Sequence, residues 1–459
     1  MMDARPRSDA LVFFGATGDL AYKQIFPALY ALVRRHGLRV PIVGVARSSW
    51  SLEQLVARAR ESLERQGPVE EQTFQTFAGL LRYVEGDYQA PATYQRMRAE
   101  LGSAARPLHY LAIPPSLFGT VAAGLAGSGC TAGARVVVEK PFGRDLRSCR
   151  ELDAVLHGYF AEDAVFRIDH FLGKEPVQNL LYTRFSNSIF EPIWNRDHVR
   201  SVQITMAEDF GVQGRGAFYE EAGALRDVVQ NHLFEVLALL AMDPPNGGSQ
   251  DALRTEKARL LQSVRTLGPG DVVRGQFRGY RAEPGVAPHS TVETFVAVRL
   301  AIDSWRWAGV PFYIRAGKCL PVRATEVVVE FKRPPRESFG ELVPGLSNHL
   351  RLRLSPDVVI ALGMRVKRAG ERMVGEDVEL VATHRSVEEM SAYERLLADA
   401  LQGDPSLFAR GDAVQAQWRI VDEVLGDKTP LYEYDPGTWG PREAEQLIAG
   451  DGYWLEPRG

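Results

Sequence analysis

A run of five apolar residues, Ala10-Leu11-Val12-Phe13-Phe14, breaks into Gly15-Ala16-Thr17-Gly18-Asp19-Leu20-Ala21, and a helical pattern then continues to Leu32. A wholly apolar run of that length suits a strand buried on both faces of a parallel sheet, and the glycines allow a tight turn into the helix. Glycine at 15 and 18 lets the backbone approach a pyrophosphate, to which the helix N-terminus adds its positive dipole end. The spacing GxxGxxA is a variant of the dinucleotide fingerprint. A plain left-handed turn would use the same glycines, but the strand before and the helix after favour the dinucleotide.

The next apolar run, Pro41 to Ala46, ends in Arg47-Ser48, where a dinucleotide fold usually carries its ribose-reading acid. Arginine there suits a 2′-phosphate and hence NADP, although an ordinary exposed loop arginine would read the same way. Residues 52–101 read mostly as helices that cover a sheet. Sheet-like runs return at Leu108–Ile113, closed by Pro114-Pro115, and at Val136-Val137-Val138, closed by Glu139-Lys140-Pro141-Phe142-Gly143. Alternating strands and helices make this half doubly wound, and ligands of such sheets collect beyond the C-terminal strand ends. Lys140 falls at one such end, although a solvated lysine would also sit there. Asp169 and His170 fall at another, after the run Ala164-Val165-Phe166. From Arg167 to Glu175 a carboxylate able to orient a base lies beside cations able to hold an anion, a grouping that a charged strand end would also produce.

Past Lys174 the pattern changes. Val199 to Glu208 alternates near period two, as do Thr294–Leu300 and Thr325–Phe331, which predicts a large antiparallel sheet with helices on one face. A length of 459 residues favours two domains. The change of pattern places a dinucleotide-binding domain at 1–170 and a substrate-binding domain at 171–459. A helix is expected from Gly223 to Leu237, with His232 inside its apolar stripe. A histidine there is ordinarily a core residue, yet Asp227, Gln230 and Asn231 around it make a general base plausible. Val310 to Arg323 gathers Arg315, Lys318 and Arg323 around Gly317, either as a phosphate clamp or as a solvated turn. Ser391 to Leu425 reads as two helices.

A net charge of -4 with dispersed basic residues excludes a nucleic-acid footprint. Cys130, Cys149 and Cys319 are odd in number and widely spaced, so neither a disulfide framework nor a metal site is expected. Met1 to Asp9 is charged without the apolar core of a leader, and no run approaches the roughly 18 apolar residues of a membrane span. A cytoplasmic protein is expected.

Six motifs coincide in order with one family: Gly15 to Ala21, Glu139 to Gly143, Arg167 to Glu175, Gly223 to His232, Arg315 to Lys318, and Gly437-Thr438-Trp439-Gly440-Pro441. From near residue 10 to near residue 455 the chain resembles the glucose-6-phosphate dehydrogenase family. The resemblance implies an α/β Rossmann-like coenzyme domain plus a β+α domain with a large, mainly antiparallel sheet. It implies NADP as cofactor, glucose 6-phosphate as substrate and a homodimer or homotetramer. The reaction implied is oxidation at C1 to 6-phosphoglucono-1,5-lactone, the first oxidative step of the pentose phosphate pathway. His232 would be the general base and Asp169 would orient it. Lys140, His170, Lys174, Glu208, Asp227, Lys318 and Arg323 match positions that contact the sugar phosphate. Gly15, Thr17, Gly18, Asp19, Leu20, Arg47, Tyr110 and Lys140 match coenzyme-binding positions. Phe171 stands where many members have tyrosine, which removes a hydroxyl donor to the phosphate. Ala324 stands where relatives with a second, structural NADP carry lysine, so no second nucleotide site is expected. Two rivals are a sugar oxidoreductase of the same plan acting on unphosphorylated sugar, and a silent paralogue that binds NADP.

Overall fold

A computed structural model describes residues 7–247, 251–336, 347–384 and 390–457. Of the charged stretch Met1–Asp9, residues 1–6 lie outside the described residues. The chain forms two compact units. The first comprises Met1–Glu175, Pro245–Thr255 and Glu389–Gln415, and the second Pro176–Pro244, Glu256–Glu388 and Ala416–Gly459.

The described residues of the first unit build a parallel sheet from β1 (Ala10–Phe14), β2 (Ile42–Ala46), β3 (Leu81–Glu85), β4 (Pro107–Leu111), β5 (Arg135–Glu139) and β6 (Val165–Ile168). Their order, β3-β2-β1-β4-β5-β6, is that of a Rossmann-type sheet, with the crossover between β1 and β4. β1, β2 and β4 are buried along their whole length, which explains the unbroken apolar runs of β1 and β2, while the buried His109 of β4 is paired with Cys130 O. The strand β3 was not anticipated within 52–101. It is an edge strand with a half-exposed Leu-Arg-Tyr-Val-Glu sequence, so it lacks the apolar run that marks its neighbours.

The late segment is held to this unit by apolar burial and by ions. Leu396, Leu397, Leu401 and Phe408 enter the same core as Leu11, Phe13 and Phe166, and each such side chain contributes roughly 1.5–3 kcal/mol. Arg167, on β6, is fully buried between Asp153 (2.7 Å) and Glu162 (2.8 Å). Glu162 and Asp153 in turn accept Gly411 N–H and Gln415 Nε2. Arg167 is therefore a structural ion in the stretch whose cations looked suited to an anion.

The described residues of the second unit form a nine-stranded sheet: β7 (Val199–Ala207), β8 (Val272–Phe277), β9 (Phe295–Ala301), β10 (Pro311–Gly317), β11 (Ala324–Phe331), β12 (His349–Ser355), β13 (Val358–Lys367), β14 (Gly375–His384) and β15 (Leu431–Tyr434). The order is β14-β13-β12-β11-β7-β10-β9-β8-β15, antiparallel except for the parallel pairs β7–β10 and β8–β15. The alternation of β7 predicted one wet face, yet the strand is buried almost throughout. The carboxy-terminal segment covers that face: Gln203 exchanges hydrogen bonds with Tyr453 O and Leu455 N–H, and Thr205 accepts from Arg315 Nε. Arg315 is likewise enclosed, against Trp439 and Trp454, and burial pushes its pKa down to about 10. It lies in strand β10 and belongs to no phosphate clamp.

The helix expected from Gly223 to Leu237 is present with a different winding. An α-helix, Gly216–Ala224, ends at Gly223 with φ 66° and ψ 171°, a left-handed break that suits glycine. A π-helical segment, Leu225–Leu233, follows and passes into the buried α-helix Phe234–Ala241. The three cysteines are free thiols. Among the described residues no helix is long and apolar enough to cross a membrane.

Candidate active site

The functional candidates of the first unit lie where its parallel strands end. After β1, Gly15 has φ 81°, and a Cβ there would come within 2.2 Å of Ala112 O, so only glycine passes this close to the neighbouring strand end. Its N–H is shared by Val45 O (2.9 Å) and Tyr88 Oη (3.0 Å). Ala16 N–H and Gly18 N–H are engaged as well, by Val45 O (3.3 Å) and Gly15 O (2.9 Å), and helical structure begins at Asp19. Asp19 is exposed and paired with Lys23 at 2.9 Å, Thr17 Oγ1 lies 3.0 Å from Ser48 Oγ, and Leu20 is half-buried. After β2, the Arg47 guanidinium lies over the ring of Tyr88 (5.5 Å) and 3.3 Å from Asp87 Oδ1. This close turn, its helix start and an exposed arginine fit a phosphorylated dinucleotide. Asp87 and Tyr88 were missed by sequence reasoning because β3, whose end they follow, was not recognised.

At the C-terminal end of β5, half-buried Glu139 accepts hydrogen bonds from the hydroxyls of Tyr110 and Tyr393. Burial raises its carboxyl to about 7, against the lowering effect of those tyrosines and of Lys140. Tyr110 is fully buried, and its hydroxyl is engaged with Glu139. Lys140 follows directly, at a cis bond to Pro141. Beyond β6, residues 169–174 wind into successive turns, with Leu172, Gly173 and Lys174 N–H donating to the carbonyls of Asp169, His170 and Phe171. Buried Asp169 also accepts Phe171 N–H on Oδ1 at 2.9 Å. The His170 ring lies parallel to that of Tyr393 at 6.4 Å, and Lys174 Nζ sits 4.4 Å above the ring of Phe171. Phe171 thus offers Lys174 an aromatic face.

In the second unit, Asp227 and His232 share the π-helical segment. Residues five apart are turned about 140° from one another in a 3.6-residue helix, whereas i→i+5 bonding stacks them on one side. Asp227 is half-buried and His232 is 5% exposed. The segment starts on Glu293, whose main-chain oxygen accepts Ala224 N–H (2.9 Å) and whose Oε1 accepts Leu225 N–H (3.1 Å). Lys318 Nζ donates to Glu208 Oε2 at 2.8 Å and lies against the rings of Phe210 (4.9 Å) and Tyr219 (5.2 Å). Arg323 is exposed, 5.7 Å from the Phe210 ring. Burial, reinforced by Asp227, Glu208 and Glu293, holds the Tyr219 hydroxyl well above its usual pKa. Phe210, Tyr219 and Glu293 carried no sequence signal, because aromatic and acidic residues there read as ordinary core and surface.

Two family models match the chain. Residues 12–179 match "Glucose-6-phosphate dehydrogenase, NAD binding domain", and residues 181–455 match "Glucose-6-phosphate dehydrogenase, C-terminal domain". Glucose-6-phosphate 1-dehydrogenase 1 of Mycobacterium tuberculosis is 45% identical over 98% of this chain and 97% of its own length. The crystal structure of glucose-6-phosphate 1-dehydrogenase from Mycobacterium avium is similar with a TM-score of 0.93 and 45% identity, covering 99% of both chains. A glucose-6-phosphate dehydrogenase in complex with its substrate glucose-6-phosphate superposes with a TM-score of 0.90 at 33% identity, over 98% of this chain and 100% of that one.

Proposed function

The chain belongs to the glucose-6-phosphate dehydrogenase family, and from that premise we propose that it oxidises glucose 6-phosphate at C1 to 6-phosphoglucono-1,5-lactone with reduction of NADP. The observation that carries this reading is His232, a titratable side chain on the buried side of a π-helical segment that it shares with Asp227.

An imidazole nitrogen of His232 takes the proton of the C1 hydroxyl as the C1 hydride departs, and Asp169 orients the ring and stabilises the imidazolium. The bond that Phe171 N–H donates to Asp169 Oδ1 supports this role by fixing the carboxylate. A bound nicotinamide supplies the hydride acceptor. His170 and Lys174 hold the phosphate dianion, and the Glu208–Lys318 pair offers an acceptor and a donor side by side to sugar hydroxyls. Asp227, Arg323 and Lys140 complete the substrate contacts. Tyr110 acts through Glu139, which sets the chain just before Lys140.

NADP is favoured over NAD by Arg47 at the β2 end, and the turn Gly15-Ala16-Thr17-Gly18-Asp19-Leu20 receives the coenzyme beside it. The coenzyme domain is taken as 1–170 and the substrate-binding and dimerisation domain as 171–459. A cytoplasmic homodimer or homotetramer agrees with three free thiols and with Leu380 and Val381 exposed on the edge strand β14. Initial rates of reduced-nicotinamide formation with glucose 6-phosphate and with free glucose test the proposal. Turnover of the phosphorylated sugar alone is expected, and equal rates on free glucose would refute the phosphate site.

A further inference from the structure

Two side chains of opposite charge stand where the adenosine ribose of a dinucleotide is read. Arg47 directly follows β2, and Asp87 follows β3 by two residues, so both lie beyond the C-terminal ends of adjacent parallel strands. A fold of this kind ordinarily uses an acid at this place to accept the ribose 2′-hydroxyl of NAD, or an arginine to hold the 2′-phosphate of NADP. This chain has both, and they are in contact: Arg47 Nη2 donates to Asp87 Oδ1 at 3.3 Å. The same Oδ1 accepts Gln89 N–H at 3.1 Å, which fixes the carboxylate. Tyr88 fixes the cation from the other side, with its ring 5.5 Å from the guanidinium and its hydroxyl on Gly15 N–H. The next acid, Glu85, is engaged by Ser49 Oγ at 2.7 Å.

We propose that Asp87 is the specificity-determining residue that holds this enzyme open to NAD, by competing with a 2′-phosphate for Arg47. The proposal rests on the reading of Arg47 as the cation at the ribose. With NADP, the dianion must draw the guanidinium from Asp87 and then lie near a like charge. With NAD no such charge enters, and the carboxylate, already paired with Arg47, accepts ribose hydroxyls. Both side chains are more than half exposed, so the pair is weak enough to be broken by an incoming phosphate.

Asp87→Asn removes the charge and keeps the acceptor for Gln89 N–H, so the loop should hold. Calorimetric titration of the whole chain with adenosine 2′,5′-bisphosphate and with 5′-AMP reads the effect without turnover. Asp87→Asn is expected to tighten the bisphosphate about three- to tenfold and to leave AMP equal or weaker, whereas Arg47→Ala loosens the bisphosphate alone. The ratio of kcat/KM for NADP over NAD should rise in Asp87→Asn by a similar factor. The effect should shrink as salt rises toward about 1 M, where exposed charges are screened within a few Å. If Asp87→Asn melts at the wild-type temperature yet both ligands bind as in wild type, the proposal is wrong. A loosened bisphosphate would also overturn it and make Asp87 a buttress of Arg47. Should the ligand selectivity change as expected while glucose 6-phosphate is not oxidised, the reaction assignment fails and the role of Asp87 stands.

Discussion

The strand ends of the first unit and the helix and loops of the second place their chemistry by different means. In the first unit, Arg47 directly follows β2, Lys140 directly follows β5 and Asp169 directly follows β6, so the sheet's own hydrogen bonds set each position. In the second, Glu208 and Lys318 are 110 residues apart and meet because β7 and β10 are parallel neighbours. Their following loops are joined by Glu208 N–H to Gly317 O (3.0 Å) and Leu320 N–H to Glu208 O (2.9 Å). His232 depends further on a π winding that begins at a glycine break and a glutamate cap. The first arrangement should be most sensitive to change in a strand-end turn, and the second to loss of one member of a paired or proton-accepting side-chain set.

The largest effect is expected in the second unit. His232→Asn should lower kcat by about 10³-fold, within the span of general-base contributions, with the NADP dissociation constant unchanged. Retention of kcat within about tenfold would take His232 out of the chemistry. Next, Lys318→Met leaves Glu208 half-buried without its cation and should raise KM for glucose 6-phosphate about 10–100-fold. A change in coenzyme affinity instead would mean that the pair serves the nucleotide.

In the first unit the corresponding break is in the backbone. Gly15→Ala puts a Cβ 2.2 Å from Ala112 O at a φ of 81° and should cost about 1–3 kcal/mol, seen as a lowered Tm with NADP binding lost. A variant that binds NADP normally would contradict the close-turn account.

Glu139 gives a pH test of the same region. Its carboxyl is raised by burial from 4.5 to about 7, so between those values the folded chain holds the proton more tightly than the unfolded chain does. Stability from this group is complete below about 4.5 and is lost as pH rises through about 7. Glu139→Gln is spared that loss, so its stability relative to wild type should improve between pH 4.5 and 8 by an amount on the order of 2 kcal/mol. A difference independent of pH would contradict the buried protonated carboxyl. The smallest effect is expected for Phe171→Tyr, which keeps the ring face under Lys174 and adds a hydroxyl; KM for glucose 6-phosphate should fall about two- to threefold. A rise in KM would show that the buried ring has no room for the oxygen.

The same contrast explains what could be read in advance. The coenzyme half was legible because an apolar run ending in glycine or a charge marks a buried parallel strand and its ligand-bearing end. Only β3 escaped, since an edge strand with Arg82, Tyr83 and Glu85 resembles an amphipathic helix, and Asp87 and Tyr88 went with it. The second half was legible as a sheet, but β7 was expected to face water because the segment that covers it arrives some 250 residues later. Asp227 and His232 were recognised as residue types, yet their shared side rests on a π winding that period 3.6 hides. Arg315 and Arg167 show the converse error, since a charged residue in a promising motif can be a buried strand residue held by its neighbours.

The central claim is that hydride leaves C1 of a phosphorylated sugar for the nicotinamide. The direct measurement uses glucose 6-phosphate carrying deuterium at C1, with mass analysis of the reduced coenzyme and the sugar product. The account predicts one deuterium on the nicotinamide and none at C1 of the lactone or its hydrolysis product. Unlabelled reduced coenzyme, or deuterium retained in the sugar, would contradict it.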